Sequence, residues 1–103
     1  MVIVQGNTYR LPIRVKINGN VITDKDVKIV EFTFGCSKKK YPQEVTFEDD
    51  CFIVPMSQKD TLSLPTKKPS RYQVRVMFKD DSVKGTDPKE FVVTPSESKE
   101  VLG

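Results

Sequence analysis

Cys36, Cys51, two aspartate pairs and a run of three lysines hold most of the chemistry that this 103-residue chain could offer. Two thiols can close a disulfide only when their Cα atoms lie within roughly 7 Å. The strand order read below puts a whole strand between them, and ~5 residues of strand span about twice that distance. Reduced thiols are therefore expected, and two thiolates alone do not complete a four-ligand zinc site. Asp49-Asp50 and Asp80-Asp81 could offer oxygens to calcium. Calcium takes six or more oxygens in a cage. Neither pair lies in an Asp-x-Asp-x-Asp-Gly loop, so both read as turn-forming aspartates.

Catalytic pairings are equally hard to assemble. Glu31, Glu44 and Glu48 could be imagined as the carboxylates of a hydrolase, but they fall on exposed alternating positions. Ser57 stands in Met-Ser-Gln-Lys-Asp with no base beside it, and histidine is absent from the chain. That absence removes Ser-His-Asp triads, Cys-His dyads and histidine metal sites. Val83-Lys84-Gly85-Thr86 lacks the glycine-rich run of a phosphate-binding loop. A non-enzyme is expected, with no catalytic, cofactor-binding or metal-ligating residue to name.

The lysines pose a different question. Lys38-Lys39-Lys40, with Lys67-Lys68, could form a patch for phosphate. Nucleic-acid binders couple such charge to stacking aromatics or a groove-reading element, and Tyr41 is the only aromatic close by. A net charge of +3 gives no push towards nucleic acid. The segment from Cys36 to Pro42 reads as a solvated basic loop. Tryptophan is absent, and the aromatics other than Tyr41 fall on core-facing positions, which weakens a sugar-stacking surface.

The elements that must position these residues show period two. Tyr9, Leu11, Ile13, Val15 and Ile17 alternate with Arg10, Pro12, Arg14 and Lys16. That is a half-buried strand, with Pro12 at an edge or a bulge. Asn18-Gly19 follows, the pair favoured in a type I′ hairpin turn. Further strands are expected at Val27–Gly35 (Val30, Phe32 and Phe34 inward), Gln43–Glu48 (Val45 and Phe47), Cys51–Pro55 (Phe52 and Val54), Arg71–Phe78 (Val74 and Val76), Val83–Thr86 and Glu90–Thr94. Ser57 and Asp60 form a minimal capping box for one short helical turn near residues 57–62, ended by Pro65. Short strands at spacings of about 8–12 residues are the pattern of an all-β sandwich. One antiparallel domain of about seven to eight strands is expected over residues 1–95, with a polar tail over 96–103. The longest apolar run is four residues, against ~20 for a bilayer span. No secretory leader is visible at the first residues.

The outward polar side chains of Arg10, Arg14, Lys16, Gln73 and Arg75 suit the rim of a protein–protein contact. Two segments also carry a resemblance. Val54-Pro-Met-Ser-Gln-Lys-Asp-Thr-Leu-Ser-Leu64, followed by Arg71-Tyr-Gln-Val-Arg-Val76, resembles the N-terminal β-sandwich of phage baseplate upper proteins and related small immunoglobulin-like phage tail proteins. In that family a strand enters a corner of the type Leu-Ser/Thr-Gln-Glu/Asp-Asp/Glu-Thr-Leu, which Thr61 and Leu62 match. A Tyr-x-Val-Gln-x-Arg type strand follows it, where Gln73 and Arg75 alternate in the same way. Asp80-Asp81-Ser82 departs from the Asp-Gly turn expected there. Gln5-Gly6-Asn7-Thr8, entering the first long strand, is similar to the family's opening.

The resemblance implies an immunoglobulin-like sandwich without the disulfide core. It implies a structural part of a phage or prophage tail, located in the virion or the bacterial host's cytoplasm. Expected partners are other tail or baseplate proteins, with self-association into a homo-oligomer also implied and no membrane. Because longer family members carry further domains, a chain closing at Leu102-Gly103 is expected to be either a stand-alone adaptor or an orphaned reading frame of a prophage. The alternatives are a carbohydrate-binding sandwich module and a weak nucleic-acid binder using the lysine loops. For the inward assignments, Phe32→Ala or Val74→Ala is expected to cost ~2–5 kcal/mol in denaturant unfolding. Parent-like unfolding of both variants would show that those side chains do not face a core.

Overall fold

The computed structural model describes all 103 residues as β1 (Val2–Val4), β2 (Tyr9–Ile13), β3 (Lys16–Ile17), β4 (Asn20–Val21), β5 (Val27–Phe34), β6 (Ser37–Tyr41), β7 (Thr46–Glu48), β8 (Cys51–Met56), α1 (Gln58–Leu62), β9 (Ser70–Phe78), β10 (Val83–Gly85) and β11 (Lys89–Thr94). Residues that tolerate a positive φ set the hairpins. Asn18 and Gly19, at 52° and 80°, join β3 to β4 with Ile17 opposite Asn20, as a type I′ turn requires. Asp49 and Asp50, at 49° and 62°, join β7 to β8 in the same way. The aspartate pair is thus a turn, as its composition suggests. Gly35, at 55°, turns β5 into β6, where a Cβ would also meet Leu64 at 3.3 Å.

The strands form a sandwich-like all-β fold. A large curled sheet runs in the order β1-β11-β9-β5-β6, with β10 also on β9. A smaller sheet runs β2-β8-β7, and β3-β4 stands as a separate hairpin. Pro12 lies on β2, an edge strand, where its missing N–H costs the ladder least. The facing sides are apolar. Val30, Phe32 and Phe34 of β5, with Val74 and Val76 of β9, meet Leu11 and Ile13 of β2 and Phe52 and Val54 of β8 in one buried cluster.

Three expectations need correction. Residues Cys36 to Pro42 are not a loop: Ser37–Tyr41 is edge strand β6, paired along β5 from Phe34↔Ser37 to Val30↔Tyr41. An edge strand needs no apolar face to stay paired, so Ser-Lys-Lys-Lys-Tyr shows no hydrophobic alternation. The pairing is not antiparallel throughout, because β1 lies parallel to β11 in register Val2↔Val92 to Val4↔Thr94. That strand is hidden in an unbroken apolar run: Ile3 is fully buried, while Val2 points outward. The strands number eleven rather than seven or eight. The arm from Tyr9 to Ile17 breaks at Arg14-Val15, and β1 and β6 are added.

The crossing between sheets is made by polar side chains. Ser57 caps α1, with its hydroxyl accepting from the Asp60 N–H at 3.1 Å and the Asp60 carboxylate accepting from the Ser57 N–H at 2.8 Å. Thr61, fully buried, accepts from the Gly6 N–H and donates to the Asn7 carbonyl, both at 2.9 Å. Buried Gln5 donates through Nε2 to the Leu64 carbonyl at 2.8 Å. Its Oε1 accepts from the Ser96 N–H at 3.2 Å and from the Lys99 ammonium. Beyond β11 the tail has no regular structure, yet Gln58 holds both backbone groups of Leu102, at 2.9 and 2.8 Å.

Candidate functional site

A groove of about 570 Å³ lies on one flank of the sandwich. One wall is the run from Ile13 to Asn18, which leaves β2 and enters the β3-β4 hairpin. The other wall is Tyr72 and Val74 of β9 with Gly85 to Asp87 and Lys89. Thr86 fixes this second wall. Its N–H donates to the Val74 carbonyl at 2.8 Å, and its carbonyl accepts from Gln73 Nε2 at 2.8 Å. Ile13, Val15 and Val74 are buried and Tyr72 half-buried, so the lining is partly apolar. Arg14, Lys16, Asp87 and Lys89 add exposed charge around it.

The lysine run does not act as one patch. On a strand, successive side chains point to opposite faces. Lys38 and Lys40 are exposed on one face of β6, while Lys39 is half-buried on the other. There its Nζ lies 2.9 Å from Asp60 Oδ2, with both side chains only 19% exposed. Burial raises the Asp60 pKa, but hydrogen bonds from the Ser57 N–H, Lys39 and the Ser57 hydroxyl, with the Lys39 charge, outweigh it. The carboxyl is held below its ordinary 3.8. Lys67 and Lys68 stand exposed in the loop before β9 and join no ion pair.

The remaining candidates have structural partners. Cys36 and Cys51 are both free thiols, exposed and half-buried. Asp80 accepts from the Ser82 hydroxyl at 2.6 Å and N–H at 3.0 Å, which lowers its pKa, and Asp81 pairs with Lys28. Glu31 pairs with Arg75 at 3.8 Å and Glu48 with Arg10 at 3.4 Å, while Glu44 accepts from the Lys40 N–H at 2.8 Å. No group of three or more Cys, Asp or Glu is placed to hold a metal ion. No helix is long and apolar enough to cross a membrane. Tyr41 corrects its expected exposure: its ring packs edge-on against Phe52 at 5.2 Å.

The expected rim divides between faces. Arg10 belongs to the small sheet, and Gln73 and Arg75 to the outward side of the large one. Only Arg14 and Lys16 line the groove. Lys89 and Asp87 join them from seventy residues further along the chain, and no spacing in the sequence signals that meeting. No protein-family model matches the chain, and no curated protein matches it.

The Lys39–Asp60 pair makes a specific test. A carboxyl whose folded pKa is depressed contributes stability above its unfolded value, and that contribution is lost as pH falls through the folded value. Lys39→Gln is expected to cost about 1 kcal/mol at neutral pH. It should also flatten the loss of stability below pH 3.8. Lys38→Gln and Lys40→Gln should leave both unchanged. Urea unfolding at a series of pH values checks this, and equal effects from all three lysines would contradict it.

Proposed function

We propose that this chain is a non-catalytic adaptor of a phage or prophage tail assembly of baseplate type, acting through protein–protein contacts. One observation carries the reading. Two of the stretches that share in the family resemblance, Gln5-Gly6-Asn7-Thr8 and the corner at Thr61-Leu62, are far apart in the chain and hydrogen-bonded to each other. Thr61 bonds Gly6 and Asn7, and Gln5 bonds the Leu64 carbonyl just past the corner. A corner built this way gives the matched residues a shared task, that of carrying the chain from one sheet to the other. The sandwich-like fold is the kind that the resemblance calls for.

The alternatives have less behind them. A sugar platform would use exposed aromatics on a flat face, and Tyr41 is committed to Phe52. A nucleic-acid patch at the lysine run would need three cations on one side, and Lys39 is committed to Asp60.

On this reading the chain belongs to assembled particles. Antibodies raised against it should label the distal tail of particles induced from the host, and mass spectrometry of purified particles should find it in stoichiometric amount. Its absence from purified particles, while it accumulates free in the lysate, would overturn the proposal.

A further inference from the structure

Arg14, Lys16 and Lys89 converge on the flank groove, and none of them joins an ion pair. Five of the seventeen basic side chains, Arg10, Lys28, Lys39, Arg71 and Arg75, face a carboxylate, and none of those five lines the groove. Against three free cations the groove offers one carboxylate, Asp87, which is also unpaired. We infer that this groove docks an acidic peptide segment of a partner protein, with an apolar side chain between its carboxylates. The inference rests on reading the chain as a protein-binding adaptor and names the surface through which it binds.

Three features favour a peptide. First, Arg14 and Lys16 lie two residues apart on one wall, so carboxylates at alternate positions of an extended peptide can offer each a partner. Lys89 reaches the same space from the opposite wall, so an occupant is held from both sides. Secondly, half-buried Ile17 and Tyr72 give the lining accessible apolar surface. They reward an occupant with apolar side chains, which a phosphodiester backbone lacks. Thirdly, the ring of Tyr72 is already stacked on Phe34, with centroids 5.1 Å apart and planes at 13°. It offers no open platform for a base, and Asp87 repels a continuous line of phosphates. At about 570 Å³ the groove falls within the roughly 300–1,000 Å³ of ordinary ligand sites.

A second depression, between Ile29, Met77 and Val83 on the outer face of the large sheet, is about 130 Å³. It is bordered by Glu31 and Arg75, which pair with each other, and by one unpaired cation, Lys40, against three in the flank groove.

The test is a titration of the ¹⁵N-labelled full chain at low salt with a synthetic peptide of alternating glutamate and leucine. A lysine-for-glutamate counterpart and oligo-dT serve as comparison probes. The acidic peptide should shift the amides of Arg14–Asn18 and Thr86–Lys89, and binding should weaken as salt rises. Arg14→Glu combined with Lys89→Glu, both exposed substitutions, should weaken it by about tenfold or more. Lys38→Gln with Lys40→Gln should leave it unchanged. The inference is overturned by no binding, by shifts confined to β6, by affinity that survives the double reversal, or by stronger binding of oligo-dT. Failure here, in a chain still found on purified particles, removes the groove and leaves the adaptor reading standing. Groove binding by a chain missing from particles has the opposite meaning.

Discussion

Phe52 is where the two sheets become one body. It projects from β8 of the small sheet, fully buried, and meets Phe32 of the large sheet with ring centroids 6.0 Å apart. Tyr41 of β6 and Phe47 of β7 stand edge-on to it at 5.2 and 4.8 Å. Edge-to-face rings at these distances add to what burial alone contributes, roughly 1.5–3 kcal/mol for such a side chain. A second aromatic set, Phe34 with Tyr72 and Phe91, closes another part of the large sheet's inner face. The strands between these contacts are short, and several have only two or three residues. The longer strands β5, β8 and β9 hold their register because one face is buried.

Polar groups finish what the apolar faces begin. Gln5 and Thr61 are buried at a junction where β1, α1 and the tail meet, and both side chains find partners. Buried amide and hydroxyl groups are costly when unpaired, so a fully bonded junction fixes the geometry of the crossing more sharply than an apolar one would. Ser70 is the contrast, with a buried hydroxyl that has no partner at the start of β9. The groove's second wall depends on the same economy: Thr86 spans the gap on β9 between β11 and β10, and thereby places Asp87 and Lys89.

How much of this was legible depended on whether a strand had one wet and one dry face. β5 and β9 alternate cleanly, and their inward residues could be read directly. The turns at Asn18-Gly19 and Asp49-Asp50 were legible because few residues accept a positive φ. The cap at Ser57 was legible because Asp60 stands at the reciprocal position. Strand β1 was not, since outward Val2 is as apolar as inward Ile3. Strand β6 was not, since an edge strand with Lys39 facing Asp60 shows no apolar period. The groove lay beyond any sequence pattern: its charges come from distant segments joined only by the folding of β3 and the β10-β11 loop against β9. The same limit explains why Arg10, so near Arg14 in the sequence, lies outside the groove, as does Arg75.

The proposed adaptor role needs a body that keeps its binding surfaces in place. Two sheets locked through Phe32 and Phe52, with the corner at Thr61 fixing the chain's passage between them, supply such a body. Native-state amide hydrogen exchange measures this lock most directly. The slowest exchange should fall in Val30–Phe34, Phe52–Val54 and Val74–Val76, all opening at the free energy of global unfolding. Rapid exchange in β8 while β5 and β9 remain protected would contradict the account, because the small sheet would then open without the large one.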